Sequence, residues 1–376
     1  MLAAAKQFPV IALTGPRQTG KSTLLKKIFP NHKYVTLDNP IQRAAAQQDA
    51  AMFLESIGAP VIIDEVQYAP NILPYIKMAV DADRSKNGRF LLTGSQIFPL
   101  MAGISESLAG RVALFELLGF AWEELAGAKK NSVPQCFKQI YKGFYPDPCV
   151  HNVSVQDYYG GYLSTYLERD IRQIKSVHDN AVFQSFLQLL ATRAGGLLNL
   201  SEISKECGIS HTTARNWLSL LESTRIVYLL KPYFRNMTKR VVKAPKLYFT
   251  DTGLLAYLLK YQDAATLAAG PMAGAFFENM VIMEALKRKF NHRRIYELYF
   301  YRDSNKNEVD LMLDMGQRFV LAEIKLSKSP RPDMAQTFSR LPEEFASSQS
   351  YVLSFCEDEI GLAKNVKAMP WWKFAV

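Results

Sequence analysis

The sequence predicts an α/β chain. A parallel sheet covered by helices comes first, then a helical region closed by a pair of strands, then a smaller mixed α/β part. Three observations carry this. Gly15 to Ser22 reads G-P-R-Q-T-G-K-S between an apolar run and a helical one. Five short apolar runs, each closed by polar residues, alternate with helical stretches over residues 1–125, the pattern of a parallel sheet. Near the C-terminus the tight link D-M-G-Q joins two apolar runs as a hairpin does.

The first element is strand, glycine loop, helix. Phe8 to Thr14 is an apolar strand candidate, and Ser22 to Phe29 spaces Leu24, Leu25 and Ile28 as a helix does. Between them, two glycines five apart followed by Lys and a hydroxyl match the loop that cradles phosphates. Backbone N–H groups must wrap a polyanion, so Cβ atoms are unwelcome at Gly15 and Gly20. Pro16, Gln18 and Thr19 fill the loop and Thr23 enters the helix, while Arg17 either reaches phosphate or faces away. Lys21 brings a point charge to the β/γ-phosphates, and the Ser22 hydroxyl can ligate Mg²⁺. The implied ligand is ATP or ADP with Mg²⁺, held at a helix N-terminus.

The remaining strand candidates are Lys33 to Asp38, Pro60 to Glu65, Arg89 to Ser95 and Arg111 to Leu117, with a helix expected from Ile41 to Ile57. In parallel sheets ligands sit outside the C-terminal strand ends. Asp64 at such an end is expected to hold Mg²⁺ through water, and Glu65 to polarise the water that attacks the γ-phosphate. Ser95 either senses the γ-phosphate or belongs to a strand-end turn around Gly94, with Thr93 as the alternative occupant. Arg111, in S-L-A-G-R, either reaches a neighbouring subunit's γ-phosphate, which requires a homo-oligomer, or is an ordinary surface arginine.

Composition narrows the class. At 376 residues the chain exceeds one average core, and the expected divisions are 1–125, 126–198, 199–260 and 265–376. A hydrophobic fraction of 48% is ordinary for a globular chain, so disorder is not the default expectation. No run approaches the roughly 18 apolar residues that cross a bilayer, so no membrane partner is expected. The four cysteines lie far apart without metal-like pairing, and the start MLAAAKQFPV lacks a signal-peptide core. A cytoplasmic location is expected. The net charge of +10 exceeds what a nucleotide needs and points to nucleic acid as partner.

In the middle region, Ala126 to Val150 is rich in Lys, Pro and Gly and reads as a connector rather than core; Tyr158 to Lys175 reads as an amphipathic helix. Leu200 to Cys207, a turn at Gly208 and a helix from Ser210 form a helix-turn-helix pattern, with Ser201 and Ser210 as expected caps. Ile226 to Leu230 and the basic run Lys231 to Lys246 would then form a wing. His211, Thr212, Arg215 and Asn216 would meet a major groove, with Lys239, Arg240 and Lys243 on phosphates. The alternative is a lid or a contact for a protein partner.

Ala275 to Phe290 is expected to be an amphipathic helix carrying Glu278. Period-two alternation puts Glu323 and Lys325 on one face, which Asp310 can share across the hairpin. With Glu278, these form the residue set of a metal-dependent nuclease, acids holding Mg²⁺ and Lys325 activating water. The alternatives are a wet sheet face or a binding platform that does not cleave.

Together GPRQTGKST, VIIDEVQ, LLTGSQ, SLAGR, YLERDI, PKLYFTDTGLL, GAFFEN, EVDLML and AEIKL resemble a family of prokaryotic AAA-type P-loop ATPases. Its C-terminal half is a domain of unknown function with a winged helix and a restriction-endonuclease-like region. The resemblance spans essentially the whole chain. It implies a P-loop NTPase sheet and ATP hydrolysis by Lys21, Ser22, Asp64 and Glu65, with no settled substrate. The family has a helix before the first strand, whereas this chain starts almost at that strand, so weaker adenine contacts are expected. The resulting expectation is an Mg²⁺-dependent ATPase coupling nucleotide state to a DNA-binding half. Its rivals are an ATP-regulated endonuclease and a non-hydrolysing binding module.

Overall fold

Alternation of buried apolar residues is what builds the first sheet. In the computed structural model, which describes residues 1–95, 107–125, 132–151, 153–167, 180–234, 244–316 and 318–374, the chain divides into two compact units. One comprises Met1–Leu118 with Ser223–Arg225, the other Gly119–Glu222 with Ile226–Val376.

The first unit holds β1 (Val10–Thr14), β2 (Lys33–Thr36), β3 (Val61–Asp64), β4 (Phe90–Gly94) and β5 (Val112–Glu116). Their order is β2-β3-β4-β1-β5 and every pairing is parallel. β1, flanked by β4 and β5, is buried on both faces. Ile11 and Leu13 pack with Leu25 and Phe29 from the helix Lys21–Ile28 and its end. Val10 and Ala12 face the opposite core, with Phe53, Ile76 and Val80. Parallel register sets Thr14 beside Gly94, and Ile63 beside Leu92, so β1, β3 and β4 end side by side.

Two expectations for this unit need correction. The stretch from Ile41 to Ile57 forms two helices, Pro40–Gln48 and Ala50–Ile57. Asp49 turns away between them and accepts the Met52 N–H at 2.9 Å, an N-cap that competes with helix continuation. A short helix, Leu2–Ala5, also precedes β1.

In the second unit the Lys- and Pro-rich stretch is not a bare connector. It forms the helix Val133–Lys142, whose Cys136, Phe137 and Ile140 are buried, followed by buried Phe144 and Tyr145. Spacing of these apolar residues outweighed the polar composition around them, and Pro134 sits harmlessly in the first turn. From Val155 the helix runs to Tyr162 and then loosens into a π turn, Leu163–Leu167; Tyr158, Tyr159 and Tyr162 form its buried stripe, while Thr165 is exposed.

Helices Asn180–Thr192, Leu200–Glu206 and His211–Ser223 follow. Trp217 meets Phe183 and Phe186 edge-on at 5.1 and 5.4 Å between centroids. Gly208 takes φ +67 in the tight turn, and Ser210 accepts the Thr213 N–H at 3.0 Å as an N-cap does. The first cap is Asn199 rather than Ser201: its Oδ1 accepts from Glu202 N at 3.2 Å, because the helix begins at Leu200, two residues earlier than a cap at Ser201 requires.

An eight-stranded mixed sheet completes the unit: β6 (Val227–Pro232), β7 (Lys246–Phe249), β8 (Glu297–Arg302), β9 (Glu308–Asp314), β10 (Phe319–Ile324), β11 (Gln349–Ser354), β12 (Ile360–Ala363) and β13 (Val366–Pro370). Its order is β12-β13-β11-β10-β9-β8-β6-β7. The expected hairpin is β9 with β10, antiparallel, Ala322 opposite Leu311. The helix Ala273–Asn291 is buried around most of its circumference, not amphipathic as expected. Its buried polar residues are all partnered. Glu284 accepts Trp122 N at 2.8 Å, Lys287 donates to Phe120 O at 2.8 Å, and Asn279 exchanges two hydrogen bonds with the Phe249 backbone at 2.8 and 2.7 Å.

Asp251 is a second buried anchor. Its Oδ1 caps the helix Thr252–Leu258 at Leu254 N, 2.9 Å, and accepts from the Tyr159 hydroxyl at 2.6 Å; its Oδ2 accepts Phe144 N at 2.6 Å. Asn279→Leu leaves both backbone groups of Phe249 without these partners. We expect a loss of about 1–3 kcal/mol in urea unfolding; a loss below about 0.5 kcal/mol would show that the pair contributes nothing net.

Candidate functional site

The loop after β1 owes its path to two left-handed glycines, Gly15 at φ +140 and Gly20 at φ +86, with Gln18 also left-handed at φ +59. Gly15 has a reason that the motif alone does not reveal. A Cβ there would stand 2.0 Å from the Leu117 carbonyl oxygen, so the neighbouring strand end excludes any side chain. Thr19 is buried and donates to Pro16 O at 2.9 Å, closing the loop on itself.

Lys21 is buried, and its ammonium donates to Gly15 O at 2.9 Å and Pro16 O at 2.6 Å. Burial pulls it down to about 8, against the opposing pull of Glu65 and Asp64. Ser22 Oγ donates to Asp64, with both carboxylate oxygens at 2.8 Å. A serine hydroxyl beside a strand-end carboxylate is an all-oxygen donor pair, which fits Mg²⁺. Thr23 lies exposed just beyond.

Two further residues hold Asp64: Tyr34, which the sequence reading does not name, and Thr93, its alternative to Ser95. The Tyr34 hydroxyl donates to its Oδ2 at 2.6 Å, and Thr93 Oγ1 donates to its Oδ1. Burial and Asp64 together push the Tyr34 phenol up. Thr93 also accepts Glu65 N at 3.2 Å, so one threonine fixes both acids of the pair. Thr93 had been only the alternative to Ser95; the structure uses both.

Glu65 sits in the left-handed region at φ +57, a conformation that costs a residue with a side chain. Its carboxylate accepts from Ser95 Oγ at 3.1 Å and from Gln67 Nε2, and Gln67 also reaches Ser95 at 3.2 Å. Gln67, two residues beyond Glu65 in VIIDEVQ, is a site residue that the sequence reading does not name.

Arg17 donates to the Tyr68 hydroxyl at 2.9 Å, and the Arg43 guanidinium stacks on the same ring at 4.3 Å. Arg111 is not reaching outward. It grips Asp81 through Nε at 2.8 Å and Nη2 at 2.9 Å, and donates to Ala109 O at 2.9 Å.

In the second unit, His211, Thr212, Arg215 and Asn216 are all exposed, opposite buried Ala214, Trp217 and Leu218. Lys239, Arg240 and Lys243 lie outside the described residues. Lys246, the last residue of the basic run read as a wing, is buried instead: its side chain is 4% exposed.

The four predicted nuclease-type residues do converge. Lys325 Nζ lies 2.5 Å from Glu323 and 3.7 Å from Asp310, whose Oδ2 accepts Ile324 N at 2.9 Å. Glu278 joins them through Lys246, whose Nζ lies 3.1 Å from Glu278, 2.7 Å from Glu308 and 3.6 Å from Asp310. Tyr248 donates to Glu278 at 2.6 Å. Burial, then repulsion from Asp310, pushes the Glu278 and Glu323 carboxyls up. Burial would lower Lys246, but Glu278, Asp310 and Glu308 more than offset it. Among the described residues, no three His, Cys, Asp or Glu side chains stand as a ready metal cage. No helix among the described residues is long and apolar enough to cross a membrane.

Residues 7–126 match the family described as AAA domain. Residues 134–265 and 273–374 match families described as domains of unknown function, DUF8612 and DUF4143. The uncharacterized protein Rv2008c of Mycobacterium tuberculosis is 32% identical over 330 residues, covering 87% of this chain and 72% of its own length. The uncharacterized protein Mb2031c of Mycobacterium bovis matches with the same identity and coverage. Among solved structures, the Walker-type ATPase PABY2304 of Pyrococcus abyssi aligns at a TM-score of 0.45 and 14% identity, over 69% of this chain and 93% of that one. The Thermotoga maritima RuvB Holliday junction branch migration motor aligns at 0.31 and 14%, over 61% and 85%.

Proposed function

Since the chain belongs to the family of these two mycobacterial proteins and opens with an AAA-type P-loop ATPase domain, we propose that it binds and hydrolyses ATP and couples nucleotide state to a DNA-binding C-terminal half. The observation that carries the hydrolysis reading is the paired strand-end acids, Asp64 on Ser22 and Glu65 on Ser95 and Gln67. Binding alone needs no second acid. Lys21 releases two loop carbonyls and turns to the β/γ-phosphates, while Gly15, Pro16, Arg17, Gln18, Thr19, Gly20 and Thr23 line their path. Ser22 and Asp64 hold Mg²⁺, which when bound neutralises charge on the phosphate oxygens. Glu65 accepts the proton of the attacking water, with Ser95 and Gln67 orienting its carboxylate.

We assign residues 1–125 to the ATPase, 126–198 to a helical connector, 199–260 to a winged helix and 265–376 to a nuclease-like region. Support for the winged helix comes from the two capped helices, the Gly208 turn and the antiparallel β6–β7 pair. Its exposed His211, Thr212, Arg215 and Asn216 suit a major groove, and the net charge of +10 suits phosphates. Four free cysteines accord with a cytoplasmic location. Arg111 serves a neighbouring subunit only if it leaves Asp81.

Lys21→Ala is expected to abolish nucleotide binding and turnover in a steady-state ATPase assay with and without duplex DNA. Unchanged hydrolysis in that variant removes the proposal. Wild-type turnover indifferent to DNA moves the basic surface to RNA or a protein partner.

The convergence of Glu278, Asp310, Glu323 and Lys325 favours a second reading, an ATP-regulated metal-dependent endonuclease. DNA cleavage in Mg²⁺ that survives both Asp310→Ala and Lys325→Ala would eliminate this site.

A further inference from the structure

The carboxylate cluster of the second unit already contains a cation. Lys246 projects from β7 into the space between Glu278 on its helix and Glu308 and Asp310 on β9, at 3.1, 2.7 and 3.6 Å. These separations are those of direct ion pairs, and the ammonium is shut off from solvent, its side chain 4% exposed. Glu308 and Asp310, two apart on one strand, present their carboxylates to the same face. Beside them Glu323 leaves Oε1 buried with no hydrogen-bond partner, although its other oxygen pairs with Lys325. A buried carboxylate oxygen without a donor carries a desolvation cost that a cation ligand removes.

We propose that Lys246 is a built-in counter-ion occupying the cation position of this cluster, and that Glu278, Asp310 and Glu323 take a divalent metal only when its ammonium is withdrawn. The inference deepens the endonuclease reading and rests on its choice of residues. A monovalent ammonium and a divalent ion cannot share the space: at a few ångströms their repulsion is far larger than in water, because both are screened from solvent. The lysine also explains how several acids are tolerated in one buried place, since buried charges persist only when paired. It is a positioning and occluding group, not a catalytic residue, and its sequence neighbours explain why it is missed. It ends a run of basic residues that reads as solvent-facing.

Mn²⁺ titration of the nucleotide-free full chain, followed by loss of the free-ion electron paramagnetic resonance signal, tests this directly. Wild type and Asp310→Asn should bind Mn²⁺ alike, since the site is plugged and adventitious surface binding is common to both. Lys246→Met should gain one site at least about tenfold tighter than anything in wild type, and Lys246→Met/Asp310→Asn should lose it. A Lys246→Met chain that gains no Asp310-dependent site overturns the proposal. Should Lys246→Met fail to fold, the wild-type comparison decides. An Mn²⁺ equivalent present in wild type and absent in Asp310→Asn overturns the proposal, and equal binding supports it. DNA cleavage is scored separately. A Lys246→Met chain that binds Mn²⁺ without cutting DNA upholds the plug and sinks the endonuclease reading.

Discussion

Glu65→Gln should retain ATP binding and lose turnover by about 10²–10⁴-fold, the range spanned by removal of a positioned general base. The substitution keeps the shape of the side chain, so the hydrogen bonds that Gln67 and Ser95 donate to its Oε2 can persist to an amide oxygen. What is lost is the capacity to accept a proton from water. Asp64 cannot substitute, because Ser22, Tyr34 and Thr93 already consume its oxygens. The left-handed backbone at Glu65 sharpens the expectation: a strained residue between two hydrogen-bond holders is kept in one pose rather than left to sample many. Single-turnover hydrolysis with a fluorescent-nucleotide binding control separates the two effects. Wild-type turnover in the variant would remove Glu65 as the general base, and no turnover in the wild type would return the protein to a nucleotide-dependent binding module.

Asp251→Ala should cost about 3–7 kcal/mol in urea unfolding of the second unit. The carboxylate accepts three hydrogen bonds, from Leu254 N, the Tyr159 hydroxyl and Phe144 N. Removing it forfeits an N-cap, about 1 kcal/mol, and leaves two further buried donors unsatisfied, each at about 1–3 kcal/mol. The surroundings cannot close over the loss easily. A side chain at Gly143 would already stand 2.5 Å from Asp251 Oδ1 and 2.0 Å from the Tyr159 oxygen, so the three groups are set at contact. Asp251→Asn keeps the cap and should recover part of the stability. A change below about 1 kcal/mol for the alanine variant would mean that water replaces the carboxylate.

What the sequence made legible follows from how local each signal is. The phosphate loop, the five parallel strands and the two strand-end acids are each encoded within a few consecutive residues, and each can be read without knowing the rest of the fold. Tyr34 and Thr93 are held to the acids by strand adjacency, which periodicity does not reveal, whereas Gln67 lies two residues beyond Glu65. Tyr34 lies on β2, next to β3, and reaches Asp64 only because the two strands run in register. The buried helix Val133–Lys142 was hidden for another reason. Lysines and a proline dominate its composition, but Cys136, Phe137 and Ile140 share one face. Lys246 shows the converse. Counting charge assigned it to a surface, and only the arrangement of strands and helix around it shows the carboxylates it meets.

The joining of β6 to β8 bears on how this protein can be dissected. Lys231 and Pro232 pair in parallel with Tyr299 and Phe300, and the Tyr233 ring meets Tyr299 at 5.7 Å between centroids. A polypeptide beginning near residue 273 would bare the β8 edge, an invitation to intermolecular strand addition. It would also strip Asn279, Glu284 and Lys287 of Phe249, Trp122 and Phe120. The two regions of unknown function are therefore one physical module written as two. A dissection that respects folding should keep β6, β7 and β8 in one polypeptide.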